Sequence, residues 1–168
     1  GNFDPIQAKK WVKKYFKDIN RGKEVKRQVK MPVNLKTSKY IYHADQFARL
    51  PELTLSWPSQ HRHHPVSYPL QVLARLLADG KKAALNSVII DERRLSSRVN
   101  VYDYASELAG QFTIKIRGFK GVKLDDVKAA IEEGLAKFEK NGFSETDLKR
   151  IKAGQETAFY NQMSSALG

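Results

Sequence analysis

The sequence predicts an α+β fold, an antiparallel-rich sheet packed on paired helices. Three observations lead there. Apolar residues recur at helical spacing in some stretches and alternate at strand spacing in others. The strand-like stretches come in pairs, and so do the helix-like ones. Paired strands followed by paired helices suit an antiparallel sheet backed by helices, not a wound parallel one.

The first helix is written in "DPIQAKKWVKKYFKDI". Asp4 can cap it, and Pro5 sits where a missing N–H costs nothing. Ile6, Trp11, Val12, Tyr15, Phe16 and Ile19 form an apolar stripe, lysines take the rest, and Gly22 helps to end it. "SKYIYHADQFARLPELTLSWPS" predicts two strands around a turn-like middle. In the second of them Leu53, Leu55 and Trp57 face one way, Thr54 and Ser56 the other, and Pro58 ends it.

A helix is expected from Ser67, with Leu70, Leu73, Leu76 and Leu77 on one side and Pro69 in its tolerant first turn. Gly80 breaks it. A shorter helix follows with Leu85, Val88 and Ile89 inward. "RVNVYDYASELAGQFTIKIRGF" is the strongest strand signal. One arm alternates through Val99 and Val101, the other through Phe112, Ile114 and Ile116, and Glu107 to Gly110 connect them as a hairpin. Two helices close the chain. One uses Val127, Ile131, Leu135 and Phe138 and stops near Gly142. The other starts at Ser144, with Asp147 placed for a capping box, and Leu148, Ile151, Ala158, Phe159 and Met163 form its face.

At 168 residues the chain suits one domain spanning 1–168. It has no cysteine, which rules out disulfides, thiolate zinc sites and thiol catalysis. No apolar run approaches the ~18 residues of a membrane span, and no membrane partner is expected. The formal charge is +12, and residues 9 to 30 alone hold ten Lys or Arg against Asp18 and Glu24. A solvated lysine-rich helix face is the preferred reading of that stripe. A nucleic-acid footprint is the lesser one, since no recognition motif accompanies it.

Three of the four histidines, His61, His63 and His64, fall in "SQHRHHP". Pro58 and Pro65 bracket them, so helical ligand spacing is not available, and no acid lies between Gln60 and Pro65. A catalytic zinc needs convergent ligands and a positioned base. The expectation is a surface loop: no metal site and no catalytic residue. Walker-type loops and nucleophile elbows are absent. "GKKAAL" at 80 to 85 lacks a phosphate loop's glycines. Asp125 and Asp126 suit a helix N-terminus, Asp91 and Glu92 suit solvent ion pairs, and Tyr102 and Tyr104 read as ordinary strand residues.

Taken in order, "GNFDPIQAKKWVKKYFKDINRG", "LPELTLSWPS", "LQVLARLLADGKKAALNSVIIDERRLSSRVNVYDYASELAGQFTIKI" and "GVKLDDVKAAIEEGLAKFEKNGFSETDLKRIKAGQETAF" resemble the pitrilysin/insulinase zinc metallopeptidases. The resemblance covers nearly the whole chain. It is to the second, non-zinc-binding, C-terminal type of domain. The family's zinc motif, His-x-x-Glu-His, occurs nowhere here. Zinc is therefore expected in a domain of the parent outside this chain, with no cofactor in this stretch. The complementary half of such enzymes carries an Arg and, seven residues on, a Tyr that grip substrate. Ile90 and Ser97 stand at those positions and can fill neither role; Arg93, Arg94 and Arg98 lie nearby without being assigned it.

The resemblance implies paired domains forming two bowl-shaped halves around a peptide. The partners it implies are other domains of the same chain, or a paired homologous subunit, and the parent's peptide substrate. It also implies a strand before Gly1, so the sheet is expected to lack one strand through truncation. A bacterial, exported or periplasmic setting is favoured over the cytoplasm. The alternative functions are a structural or regulatory module from an inactive member and, below it, a basic nucleic-acid-binding domain.

Overall fold

In the computed structural model, residues 2–30 and 33–164 are described. They belong to two compact units: residues 1–28 with 152–168, and residues 29–151. The elements in order are α1 (Pro5–Phe16), β1 (Glu52–Ser59), α2 (Ser67–Ala78), α3 (Ala84–Asn86), β2 (Val99–Ala105), β3 (Gly110–Arg117), α4 (Leu124–Asn141) and α5 (Glu145–Ser164). After α3 the chain continues as a π-helical turn over Ser87–Glu92.

The larger unit holds the sheet. Its order is β1-β3-β2, and both ladders are antiparallel. The register makes one apolar face from sequence alternation. Leu53, Ile116 and Val99 lie in one row, and Leu55, Ile114 and Val101 in the next. Trp57 and Phe112 continue it with ring centroids 6.3 Å apart. Ala74 and Leu77 of α2, Leu85, Val88 and Ile89, and Val127, Ala130 and Ile131 of α4 join Ile114 and Ile116 in a single core. The opposite face is polar, with Thr54 and Ser56 exposed. Thr113 is the exception: it is fully buried and its hydroxyl meets Ser56 Oγ at 3.1 Å.

Close approach of α3 to α4 depends on Gly134. A Cβ there would stand 2.7 Å from Leu85 Cδ2 and 3.3 Å from its Cα. The hairpin forms as the sequence predicts. Ser106 closes it, its N–H and hydroxyl both donating to the Ala109 carbonyl at 2.9 and 2.7 Å.

Three expectations need correction. The strand predicted in "SKYIYH" is absent, and Tyr40, Ile41 and Tyr42 are 85%, 92% and 81% exposed. A strand needs a ladder partner, and β1 pairs with β3 alone among the described residues; aromatic and β-branched alternation does not supply an edge. The stripe on α1 is present as a pattern but buries nothing. The Asp4 carboxylate accepts from Ile6 N–H at 2.8 Å, so the cap starts the helix, yet Ile6, Trp11, Val12, Tyr15 and Phe16 are 56–69% exposed. Capping and propensity are local and build a helix without a covering surface. On α5 only Ile151 of the predicted face is buried, while Phe159 and Met163 are exposed.

The start of α5 is as predicted. Ser144 Oγ accepts from Asp147 N–H at 3.1 Å, and the Asp147 carboxylate accepts from Ser144 N–H at 3.1 Å and from its hydroxyl at 2.6 Å. The Ser144 hydroxyl and N–H together hold the Asp147 carboxyl below its ordinary range. Removing the serine hydroxyl leaves the Asp147 N–H without its acceptor and the Asp147 carboxylate without one of its donors. Ser144→Ala is expected to lower the thermal midpoint and to speed amide exchange in the first turn of α5, while α4 stays protected.

An ion triad locks the far edge of the sheet. Glu52 meets Lys115 at 2.7 Å and Arg117 at 2.8 Å. The hydrogen bond from Lys115 is the main cause that lowers the Glu52 pKa, with Arg117 adding and partial burial opposing. A carboxyl whose folded pKa is depressed stabilises above its unfolded value, and that stability is lost as pH falls through the folded pKa. Glu52→Gln is therefore expected to cost about 0.5–1 kcal/mol at neutral pH, given the solvent screening of a half-exposed triad. Urea titrations of the two proteins should draw together as pH falls from the ordinary glutamate value, about 4.3, through the depressed folded one. A pH-independent gap would refute the ionic origin.

Candidate binding cleft

Two places gather polar chemistry in the larger unit. The first is the loop after β1. Pro58 and Ser59 end the strand, and the loop is pinned by Arg62, whose N–H donates to Ser106 C=O at 2.8 Å and whose Nε donates to Ala105 C=O at 3.3 Å. His63 takes a left-handed backbone, φ 65°. His61 and His64 stand edge to face, 5.3 Å between centroids. They border a hollow of about 200 Å³ together with Lys30, Ser59 and Gln60.

The donor set does not fit zinc. His61 Nδ1–H donates to Arg62 C=O at 2.9 Å, and His64 Nδ1 accepts from Val66 N–H at 3.2 Å. A loop bond at one ring nitrogen does not bar a metal from the other, but the two facing imidazoles fall short of the three or four ligands that zinc takes. Among the described residues no group of three His, Cys, Asp or Glu is gathered to hold a metal.

The second place is a cleft of about 510 Å³ between α2, the π-helical turn and β2. β2 is an edge strand, and Val99 to Tyr102 line the cleft in succession. Arg75 enters from α2 and Arg98 from the residue before β2. Ile90 and Ser97 both line it too. The fold thus brings together the two positions that the resemblance singled out, one half-buried and apolar, the other exposed and short.

The arginines near these positions have separate fates. Arg93 is held by Glu133 at 2.6 Å, next to the pair of Glu92 with Lys137 at 2.7 Å, and both pairs tie the π-helical turn to α4. Arg93 and Lys137 are the first two causes that lower the Glu133 pKa. Arg94 is exposed in a left-handed conformation, φ 51°. Arg98 alone of the three reaches the cleft.

Asn86 braces the cleft's end. Its Nδ2 donates to the carbonyls of Ala78 and Gly80, at 2.8 and 2.9 Å, and so ties the C-terminus of α2 to α3. Asn86→Ala leaves those carbonyls without this donor; one bond is part-buried and the other exposed, so the loss is expected to cost about 1 kcal/mol. The expected result is a lowered urea midpoint with unchanged m-value; an unshifted midpoint would show that water replaces the amide at no cost.

Sequence reasoning passed over Arg75, Asn86 and Asp103. Arg75 was visible as the one charge in "LQVLARLLA". Asp103 stands on β2 in the row of Trp57 and Phe112, and its Oδ1 accepts from Ser59 Oγ at 2.6 Å. Alternation placed it on the apolar face, which is the signal that could have found it. Asp125 and Asp126 sit in the first turn of α4, as expected of helix N-terminal acids. Tyr102 and Tyr104 are 41% and 59% exposed on β2.

The sequence profile of the peptidase M16 inactive domain matches residues 1–155. A zinc protease PqqE of Helicobacter pylori is 26% identical over 103 residues, which is 61% of this chain and 23% of that protein. Among solved structures, a protease from Helicobacter pylori superposes with TM-score 0.75 at 19% identity, over 99% of this chain and 41% of that one. A peptidase M16 inactive domain from Pseudomonas fluorescens superposes with TM-score 0.56 at 18% identity, over 65% of this chain and 26% of that one. These structural likenesses carry the fold. The chain spans less than half the length of each of these relatives.

Proposed function

The chain belongs to the peptidase M16 inactive-domain family, and from that premise we propose that it is a non-catalytic wall of a zinc metallopeptidase. It packs against the parent's other domains or a paired homologous subunit and closes a chamber around the substrate peptide. The observation that carries this reading is the side chemistry of the cleft. Ile90 and Ser97 line it together, and they are the two positions at which the resemblance puts the family's gripping Arg and Tyr. A butyl group donates no hydrogen bond, and a hydroxymethyl group is too short to replace a phenol. The domain therefore offers shape and backbone to a peptide, and no reacting group.

Zinc belongs to the missing partner domain on this reading, and no step of hydrolysis passes through the residues described here. Mixing tests it. The chain is combined with the domain of its parent that carries His-x-x-Glu-His, and hydrolysis of a fluorogenic unstructured peptide is followed. Activity is expected to rise when this chain is added, with the zinc remaining on the other domain. An unchanged rate, together with no co-elution of the two, would favour a detached scaffold over a chamber wall.

A further inference from the structure

We propose that the cleft between α2 and β2 binds an extended peptide through the free edge of β2 and selects an acidic side chain with Arg75 and Arg98. The proposal rests on the chamber-wall reading, and it names the ligand chemistry of that wall.

Backbone geometry supplies the first half. In an antiparallel strand every second residue turns its N–H and C=O away from the neighbour. β2 has β3 on one side only. Among the described residues no backbone group of Val99 to Tyr102 bonds to any segment other than β3. These four residues line the cleft in succession, so the cleft contains an unsatisfied strand edge. Such an edge pairs with an added strand, and side-chain pockets beside it set the choice of residue.

Charge supplies the second half. Arg75 and Arg98 both line the cleft, and among the described residues neither guanidinium has an ion pair or a hydrogen bond. The one carboxylate on the lining, Asp79, faces Arg150 at 3.8 Å, and Arg150 also donates to its carbonyl at 3.0 Å. The cleft is thus left with an uncompensated positive balance in a chain of formal charge +12. A carboxylate offered by a paired strand would meet guanidinium donors from the half-buried Arg75 and the exposed Arg98, and hydrogen bonds to an ionised acceptor are stronger than neutral ones. Ile90 and Ser97 leave room there, because neither extends a long polar group across the cleft.

Binding of short labelled peptides by fluorescence anisotropy tests this on the full chain. The probes are acetyl-Thr-Val-Thr-Glu-Thr-Val-Thr-amide and its versions with Gln or Lys in place of Glu; blocked ends remove terminal charges. A further probe keeps Glu but is methylated on alternate backbone nitrogens, which blocks strand pairing without altering the protein. The expected order is Glu first, with Gln weaker by about tenfold, the worth of one charge-assisted contact, and Lys weaker still. The methylated probe should lose most of its affinity.

Arg75→Ala with Arg98→Ala should erase the preference for Glu over Gln while far-UV circular dichroism stays unchanged, since neither side chain is in the core. Equal binding of all three probes, undiminished binding of the methylated probe, or a Glu preference that survives in the double variant would each overturn the proposal. The last would place acidic peptides on the lysine-rich stretch of residues 9 to 30 instead. Mass spectrometry of the recovered probe separates the two claims. A cleaved peptide contradicts the non-catalytic reading; an intact peptide that never bound contradicts the cleft alone.

Discussion

Ile114→Ala is expected to destabilise the larger unit by about 3–4 kcal/mol, the middle of the usual range for a buried isoleucine cut to alanine. Ile114 is 1% exposed on β3, the central strand, with Leu55 on one side and Val101 on the other. It joins Leu77, Leu85, Ile89 and Ile131 in one cluster, so truncation loses transfer energy and leaves a hole. Strand neighbours are hydrogen-bonded on both sides and cannot close that hole without breaking a ladder, so relaxation recovers little. Urea denaturation should show the midpoint falling while the m-value holds. A loss under about 1 kcal/mol would mean that the helices collapse onto the sheet and that the core is looser than its burial indicates.

The second large effect is at Gly110, the first residue of β3. Glycine to alanine usually stabilises by reducing the freedom of the unfolded chain. Here the opposite is expected. A Cβ at Gly110 would collide with the Gln60 carbonyl oxygen, stand 2.6 Å from Ser59 Oγ and 3.0 Å from the Tyr104 carbonyl oxygen. Two of those atoms are backbone and cannot rotate away. Gly110→Ala must push the His61 loop off the hairpin, straining the bond from Arg62 N–H to Ser106 C=O. Overpacking of this kind costs about 1–3 kcal/mol. Thermal unfolding gives the magnitude, and faster amide exchange at Arg62 gives the location. An unchanged or raised midpoint would mean that the loop moves freely and that its attachment to the hairpin is worth little.

Much of this architecture was legible in the sequence because it is written in period and punctuation. Leu53 and Leu55, Val99 and Val101, and Phe112 to Ile116 keep strict alternation, and the sheet places each on its apolar face. Ser144 and Asp147 are spaced for a reciprocal cap and form one. The failures share a cause. Tyr40 to Tyr42, the stripe of α1 and Phe159 with Met163 on α5 all have the right residues for burial, and all stay exposed. Periodicity says which residues seek a partner surface; it does not supply the surface.

The π-helical turn at Ser87–Glu92 was equally silent, since Arg93 N–H reaching Val88 C=O is a matter of where one turn meets the next. At the cleft, the resemblance gave Ile90 and Ser97 as positions worth examining. Arg75 enters through tertiary packing alone, from a helix that the sequence marked as core.

Every chemical statement above depends on the chain supplying a peptide-facing wall without a reacting centre. The decisive measurement is a hydrolysis assay on the purified chain alone, with unstructured peptides, in added zinc and again after chelation. The account predicts intact peptides under both conditions and zinc removed by dialysis. Cleavage that requires zinc, stops with chelator and is abolished by His61→Ala or His64→Ala would contradict it.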